Sequence, residues 1–321
     1  MVKMDRKING SSKKVAIIGA GYVGGTIAYA MSLRGLADEI VLIDKNPSKA
    51  QGEALDIRHG VPGIATTFVR AGSYSDCRDS DMIIVTAGRN RKPGESRLDL
   101  TSDNAKIIGE VAGQLAPHYS GSAILVVTNP VDIMVTCCAS KMDLPPGRVF
   151  GTGCILDTSR LVSCLSDFFS IGADGINVHI VGGHGEAQFP LWSRAYVSGL
   201  SVDEYCDAMD ILWDDAAKDE IMGKVKSMGS DIIKAKERTH YGIATCVCYL
   251  ADRILNRKTA VVSVSSVLQG EYGISGVALS IPSIVTHEGV SRRLENIWTM
   301  EETEKLRAAA DVLSNAYKEV R

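Results

Sequence analysis

Residues 13–24 read KKVAIIGAGYVG. An apolar run ends at Gly19, Gly21 and Gly24, spaced as G-x-G-x-x-G, and a helical pattern follows. The motif alone is weak, but its place between a strand and a helix gives each glycine a physical job. The first permits a tight turn, the second lets a pyrophosphate approach the backbone, and the third lets helix and strand pack closely. Amides at the helix N-terminus then hold the anion. A carboxylate ending the next strand should bind ribose hydroxyls, and Asp44 in VLID stands twenty positions past Gly24. That charge repels a 2′-phosphate, so the expected cofactor is NAD rather than NADP.

Outward from this turn, DEIVLID, DMIIVTAG and SAILVVTNP are further apolar runs, each ending at a turn signal and separated by helical patterns. Such alternation predicts βαβ units and a parallel sheet. Near-continuous Val, Ile and Leu, rather than alternation with polar residues, fits strands covered on both faces. Ligands then bind at the strands' carboxyl ends. Past GRVFGTG (147–153) the pattern changes to a helical stretch from Asp157, then GINVHIVGGHGEAQFP, a helix-rich middle and a strand pair in TAVVSVSSVLQGEYG. The closing segment is an amphipathic helix with Thr299 and Glu302 spaced as a capping box. The expected fold is α/β. A flexible tail (1–12) precedes a Rossmann-type doubly wound parallel sheet (13–154), and a mixed α+β substrate domain (155–321) follows.

A chain of 321 residues with 45% hydrophobic content can build two ordinary domains with real cores. A net charge of −3 and a pI near 6.1 argue against nucleic acid or an anionic membrane as the main partner. No apolar run is long enough to span a bilayer. The eight cysteines lie mostly in apolar runs, form no C-x-x-C pair and follow no secretory signal. Reduced thiols and a cytoplasmic location are expected, with Cys246 and Cys248 in the core.

Within this acidic chain one loop is basic: TAGRNRKPGESRLDL (86–100) carries Arg89, Arg91, Lys92 and Arg97. Asp157 and Arg160 in DTSR are three apart on a predicted helix and share a face. His184 sits among glycines in GGHGE (182–186), which leaves its ring accessible. Singly, these are a solvated loop, a surface salt bridge and a structural histidine. Together, a histidine, an aspartate to orient it and arginines to hold an anion point to acid–base work on a small carboxylate.

GAGYVG with Asp44, TAG (86–88), RKPGESRLDL, TNPVD (128–132), LDTSR and GGHGE occur in one order along the chain. In these motifs, and over nearly its whole length, the chain resembles the NAD-dependent lactate and malate dehydrogenases, bacterial L-lactate dehydrogenases above all. The resemblance implies that His184 exchanges a proton with the substrate oxygen while hydride moves between nicotinamide and substrate. It implies that Asp157 orients the imidazole, Arg160 binds the substrate carboxylate in two-pronged fashion, and Arg97, on a mobile loop with a turn at Pro93–Gly94, polarises the carbonyl. Arg91, Asn129 and Thr239 complete the implied substrate site. The implied NAD contacts are Gly19, Gly21, Tyr22, Val23, Gly24, Asp44, Lys49, Tyr74, Thr86, Ala87, Gly88, Asn104, Val127 and Asn129. A homotetramer or homodimer without metal is implied, acting on a small 2-oxo or 2-hydroxy acid.

Arg91 decides the substrate, since by the resemblance it meets the substituent distal to the reacting carbon. Arg91 and Gly183 favour oxaloacetate and malate. Thr239, Ile243, Glu95 and the GESRLDL context favour pyruvate and L-lactate, which is the reading adopted. A long Arg can keep its head in water while its stem lines a pocket. Glu186 departs from the usual Asp after HG. Val162 and Asn177 stand where many bacterial lactate-type relatives carry an Arg and a His for fructose 1,6-bisphosphate, so activation by that compound is not expected. NAD-dependent glycosidases need a metal held by Cys and His, and no cysteine lies near His184 in sequence. A non-catalytic NAD-binding module would have lost a catalytic residue, and none is lost.

Overall fold

In a computed structural model that describes residues 12–90, 94–295 and 298–321, Val15–Ile18 lie at the centre of a sheet. The first half runs β1 (Lys14–Ile18), α1 (Tyr22–Leu33), β2 (Glu39–Ile43), α2 (Pro47–Gly60), β3 (Phe68–Ala71), β4 (Met82–Val85), α3 (Arg97–Leu115), β5 (Ala123–Val126), α4 (Val131–Met142) and β6 (Val149–Gly151). These six strands are parallel in the order β3-β2-β1-β4-β5-β6, the doubly wound order with its reversal beside β1. Ile17, Leu42, Ile83 and Ile84 have no exposed surface. Each such side chain contributes about 1.5–3 kcal/mol relative to exposure, which is why these strands carry no polar face. At their carboxyl ends lie Gly19, Asp44, Thr86–Gly88 and Val127–Asn129.

The second half runs α5 (Ile155–Phe169), β7 (Ile176–Asn177), β8 (Ile180–Gly182), β9 (Gln188–Pro190), β10 (Tyr196–Val197), β11 (Leu200–Ser201), α6 (Val202–Ala208), α7 (Asp215–Lys236), α8 (Tyr241–Leu255), β12 (Ala260–Gln269), β13 (Ser275–Thr286), β14 (Gly289–Arg293) and α9 (Met300–Val320). The main sheet does not end at β6. Ser265 on β12 pairs with Gly151, and the order continues antiparallel through β13, β8 and β9, with β14 on the other part of β13. The strands β11, β10 and β7 form a small separate sheet.

Two elements differ from the sequence reading. The stretch 68–71 is a strand, β3, that the apolar-run criterion passes over: it is short and at the sheet edge, with Phe68 exposed and Arg70 paired to Glu39 and Asp76. The pair expected within TAVVSVSSVLQGEYG is instead one long strand, β12, whose partner β13 begins only after Gly270 (φ +130°) and Gly273 (φ +77°) turn the chain. The helix expected from Asp157 starts at Ile155. The expected tail lies, to residue 11, outside the described residues.

The Thr299–Glu302 capping box forms, with Thr299 Oγ1 accepting from the Glu302 amide and the Glu302 carboxylate accepting from the Thr299 amide. Glu302 also accepts from the Ser193 amide and hydroxyl, tying α9 to the segment after β9. All eight cysteines are free thiols and seven are buried, Cys246 and Cys248 among them. Among the described residues no helix is long and apolar enough to cross a membrane.

Candidate active site

The glycine turn is built as its spacing requires. Gly19 has φ +110°, and a Cβ there would lie 2.6 Å from the Ala87 nitrogen. At Gly24 a Cβ would lie 1.9 Å from the Gly19 carbonyl oxygen, so only glycine lets α1 start this close to β1. At Gly21 a Cβ would meet nothing nearer than the Lys49 ammonium at 4.0 Å. That open face lies beside the first amides of α1, at Tyr22, Val23 and Gly24, which have no partner within the helix. Positive helix end, ammonium and bare backbone fit a pyrophosphate. Asp44 accepts from the Ala20 amide (2.8 Å) through Oδ2 and from the Asn46 amide (2.9 Å) through Oδ1, which fixes its carboxylate at the rim of the turn. Thr86 Oγ1 donates to the Gly19 carbonyl (2.8 Å), locking β4's end to the same turn. Burial first, then neighbouring acidic groups including Asp44, push the Tyr74 phenol up to about 12, so it stays protonated. These residues fit a dinucleotide with a free ribose diol.

The remaining predicted cofactor residues split into two sets. Gly88 and Asn129 are exposed at the strand ends. Asn104 is 1% exposed and its carboxamide is spent on backbone: Oδ1 accepts from the Arg89 amide, and Nδ2 donates to the carbonyls of Arg89 and Asn129. It braces the two loops that carry the site. Val127 is nearly buried and donates its amide to the Val85 carbonyl.

Asp157, His184 and Arg160 come together from two elements. Asp157 lies in the first turn of α5, where the helix dipole favours an anion, and has no exposed surface. Arg160 Nη1 donates to its Oδ1 (3.0 Å), and His184 Nδ1 lies 2.6 Å from its Oδ2. His184 sits on a tight turn between β8 and β9, flanked by Gly182 (φ +89°) and Gly185 (φ +102°). Its own amide donates to Asp132 Oδ2 (2.8 Å). Burial works against the imidazolium, but Asp157's hydrogen bond and charge, with Asp132 behind, outweigh it and hold the His184 pKa above the ordinary histidine value. With Nδ1 committed to Asp157, Nε2 is the nitrogen left to meet a substrate oxygen. Thr239 is half-buried in the segment before α8, where neighbouring Arg238 lies over the Tyr22 ring at 4.0 Å. Ile243 packs on the core shared with Val23.

Of the basic loop, Arg91, Lys92 and Pro93 lie outside the described residues, and so does the side chain of Arg97, which opens α3. Arg89 is a structural clamp: it is paired with Glu95 and donates through Nε to Asp103 (2.9 Å). Part of the loop's charge therefore answers its own acids. Gly183 is buried, with a Cβ there only 2.9 Å from Leu313 Cδ1 of α9. Glu186 is exposed at the turn's tip.

Two buried polar side chains beside the pair, Asp132 and Gln188, were not singled out by sequence. Asp132 had a signal, being an acid in the otherwise apolar helix start VDIMV. Burial lifts its carboxyl above the ordinary aspartate value. Gln188 had none beyond following the HGE turn. Among the described residues no three His, Cys, Asp or Glu side chains are disposed to hold a metal.

Comparison with known proteins covers both halves. The model of the lactate/malate dehydrogenase NAD binding domain matches residues 13–151, and that of the alpha/beta C-terminal domain matches 154–321. An L-lactate dehydrogenase of Thermoanaerobacterium saccharolyticum is 40% identical, over 96% of this chain and 99% of that one. One of Clostridium perfringens is 39% identical, over 95% of this chain and 96% of its own. The solved structure of a minor L-lactate dehydrogenase from Enterococcus mundtii, in its ligands-bound form, superposes with a TM-score of 0.93 at 35% identity, covering 97% of this chain and 99% of that one. With both domain models matched and relatives alike over nearly the whole chain, the chain belongs to the lactate/malate dehydrogenase family of NAD-dependent oxidoreductases.

Proposed function

We propose that the chain is an L-lactate dehydrogenase that interconverts pyruvate and L-lactate, with the Asp157–His184 pair as its acid–base centre. The observation that carries the reading is the 2.6 Å contact between His184 Nδ1 and buried Asp157 beside Arg160. When bound, NADH supplies the hydride that arrives at the substrate's C2. His184 Nε2–H donates a proton to the carbonyl oxygen as it becomes a hydroxyl, and recovers one from solvent. Asp157 keeps Nδ1 protonated and stabilises the imidazolium. Arg160 has one edge committed to Asp157 and offers the other donors of its planar fork to the substrate carboxylate. Arg97 polarises the carbonyl, and Asn129, Thr239 and Arg91 complete the substrate site.

Pyruvate is favoured over oxaloacetate because the relatives described above are named L-lactate dehydrogenases. The malate alternative finds no support among these relatives. The proposal includes a cytoplasmic homotetramer or homodimer, divided as 13–154 for NAD and 155–321 for substrate. Its test is His184→Asn, which should lower turnover of pyruvate by orders of magnitude while NADH still binds at the glycine turn. Near-normal turnover in that variant sinks the mechanism.

A further inference from the structure

Gln188 opens β9 four residues past His184 and is 5% exposed. Its backbone pairs with Gly182 across the β8–β9 hairpin, closing the turn that carries His184. Its carboxamide faces Asp157. Only with the amide nitrogen turned inward does a donor meet the carboxylate, at 3.2 Å from Oδ1 and 2.9 Å from Oδ2. Asp157 is thereby capped from three elements: Arg160 on α5, His184 on the turn and Gln188 on β9.

We propose that Gln188 is a positioning residue for the acid–base pair: by bridging both oxygens of Asp157 it fixes the carboxylate plane and takes a share of the charge that His184 would otherwise draw. The proposal rests on the reading of Asp157 and His184 as that pair. A carboxylate held only by one arginine edge and one imidazole can still rotate about its Cβ–Cγ bond, whereas a third donor spanning both oxygens resists rotation. Each added donor also weakens the pull left for the others. A neutral amide does this without a countercharge that would repel the imidazolium, as a lysine or arginine at this position would.

The other charged and titratable groups around the pair, among the described residues, are Arg160 on α5, Asp132 on α4, Glu186 on the turn, and the thiols Cys154 before α5 and Cys246 on α8. Burial raises both thiols, Cys154 well above the usual range and Cys246 to about 11, so both stay neutral through the working range. Arg160 and Asp132 are the charged neighbours that oppose each other, and neither is altered by substitution at 188.

The test reads His184 itself. The full chain is prepared with isotope-labelled histidine, the His184 ring signal is assigned by its absence from His184→Asn, and its titration is followed by NMR in wild type, Gln188→Met and Gln188→Leu. Both variants keep volume and lose the donor, so the His184 midpoint should rise by roughly half a pH unit to one. The pH at which kcat/KM for pyruvate reduction falls to half should move up with it. Gln188→Glu should raise the midpoint further and add a second ionisation, because its acid donates to Asp157 only while protonated. A midpoint within about 0.2 pH units of wild type in folded variants, or one that falls, overturns the proposal. If both apolar variants fail to fold, the Gln188→Glu titration decides it by the same criterion. The ring titration needs no substrate, so failure to turn over pyruvate would remove the reaction assigned above and leave this result to stand or fall separately.

Discussion

Replacing Asp157 by Asn is the perturbation whose size follows most directly from the geometry. The carboxylate is buried, and His184 Nδ1 lies 2.6 Å from its Oδ2. With charge centres about 4 Å apart, and an effective dielectric of about 20, a unit charge there is worth about 4 kcal/mol to the imidazolium. The Asn carbonyl can still accept from Nδ1–H, a neutral hydrogen bond returning about 1 kcal/mol. Arg160 is no longer neutralised and adds to the loss. A net of about 3 kcal/mol lowers the His184 pKa by about two pH units. At pH values above the wild-type His184 pKa the protonated fraction, and kcat/KM for pyruvate reduction with it, should drop by about a hundredfold. The assay is steady-state NADH oxidation from pH 5 to 9, with NADH affinity measured by its fluorescence as the control, since the glycine turn is untouched. Activity within about fivefold of wild type, with an unmoved pH inflection, would refute the reasoning.

Asp44→Ser should narrow the preference for NAD over NADP by at least about tenfold in kcat/KM, because the carboxylate held by Ala20 and Asn46 no longer repels a 2′-phosphate. Unchanged discrimination counts against that role. The raised pKa of His184 also sets a pH dependence: pyruvate reduction needs the imidazolium, so kcat/KM should hold below the folded-state pKa, which lies above the ordinary histidine value, and fall as pH rises through it. Lactate oxidation needs the neutral ring and should rise over the same interval. By linkage, the stability that protonated His184 gains from Asp157 is complete below about pH 6.5 and is lost as pH rises through that same folded-state pKa. Profiles of the two directions that run in parallel would contradict the assignment.

The parallel half of the sheet was legible because β1, β2, β4 and β5 are buried on both faces and must be apolar throughout. Edge strand β3 was not, since a strand paired on one side can afford Phe68 in solvent and Arg70 in an ion pair. The residues of the proposed acid–base pair were visible as types and spacings: a helix face carrying Asp157 and Arg160, and a histidine among glycines. What sequence could not give was the surroundings of Asp157, because Asp132 and Gln188 reach the pair only through the antiparallel continuation of the sheet and the closure of the β8–β9 turn. Arg89 shows the converse. In sequence it is one more cation of a basic loop, and only the fold brings Asp103 and Glu95 around it.

Oxidation of NADH by the wild-type chain, measured with pyruvate and with oxaloacetate separately and repeated in Arg91→Gln, bears on the central claim most directly. The account predicts turnover of pyruvate by wild type and only a modest gain from the substitution. Wild-type activity confined to oxaloacetate, with a pyruvate gain of about a hundredfold in the variant (about 2.7 kcal/mol of transition-state preference), would contradict it.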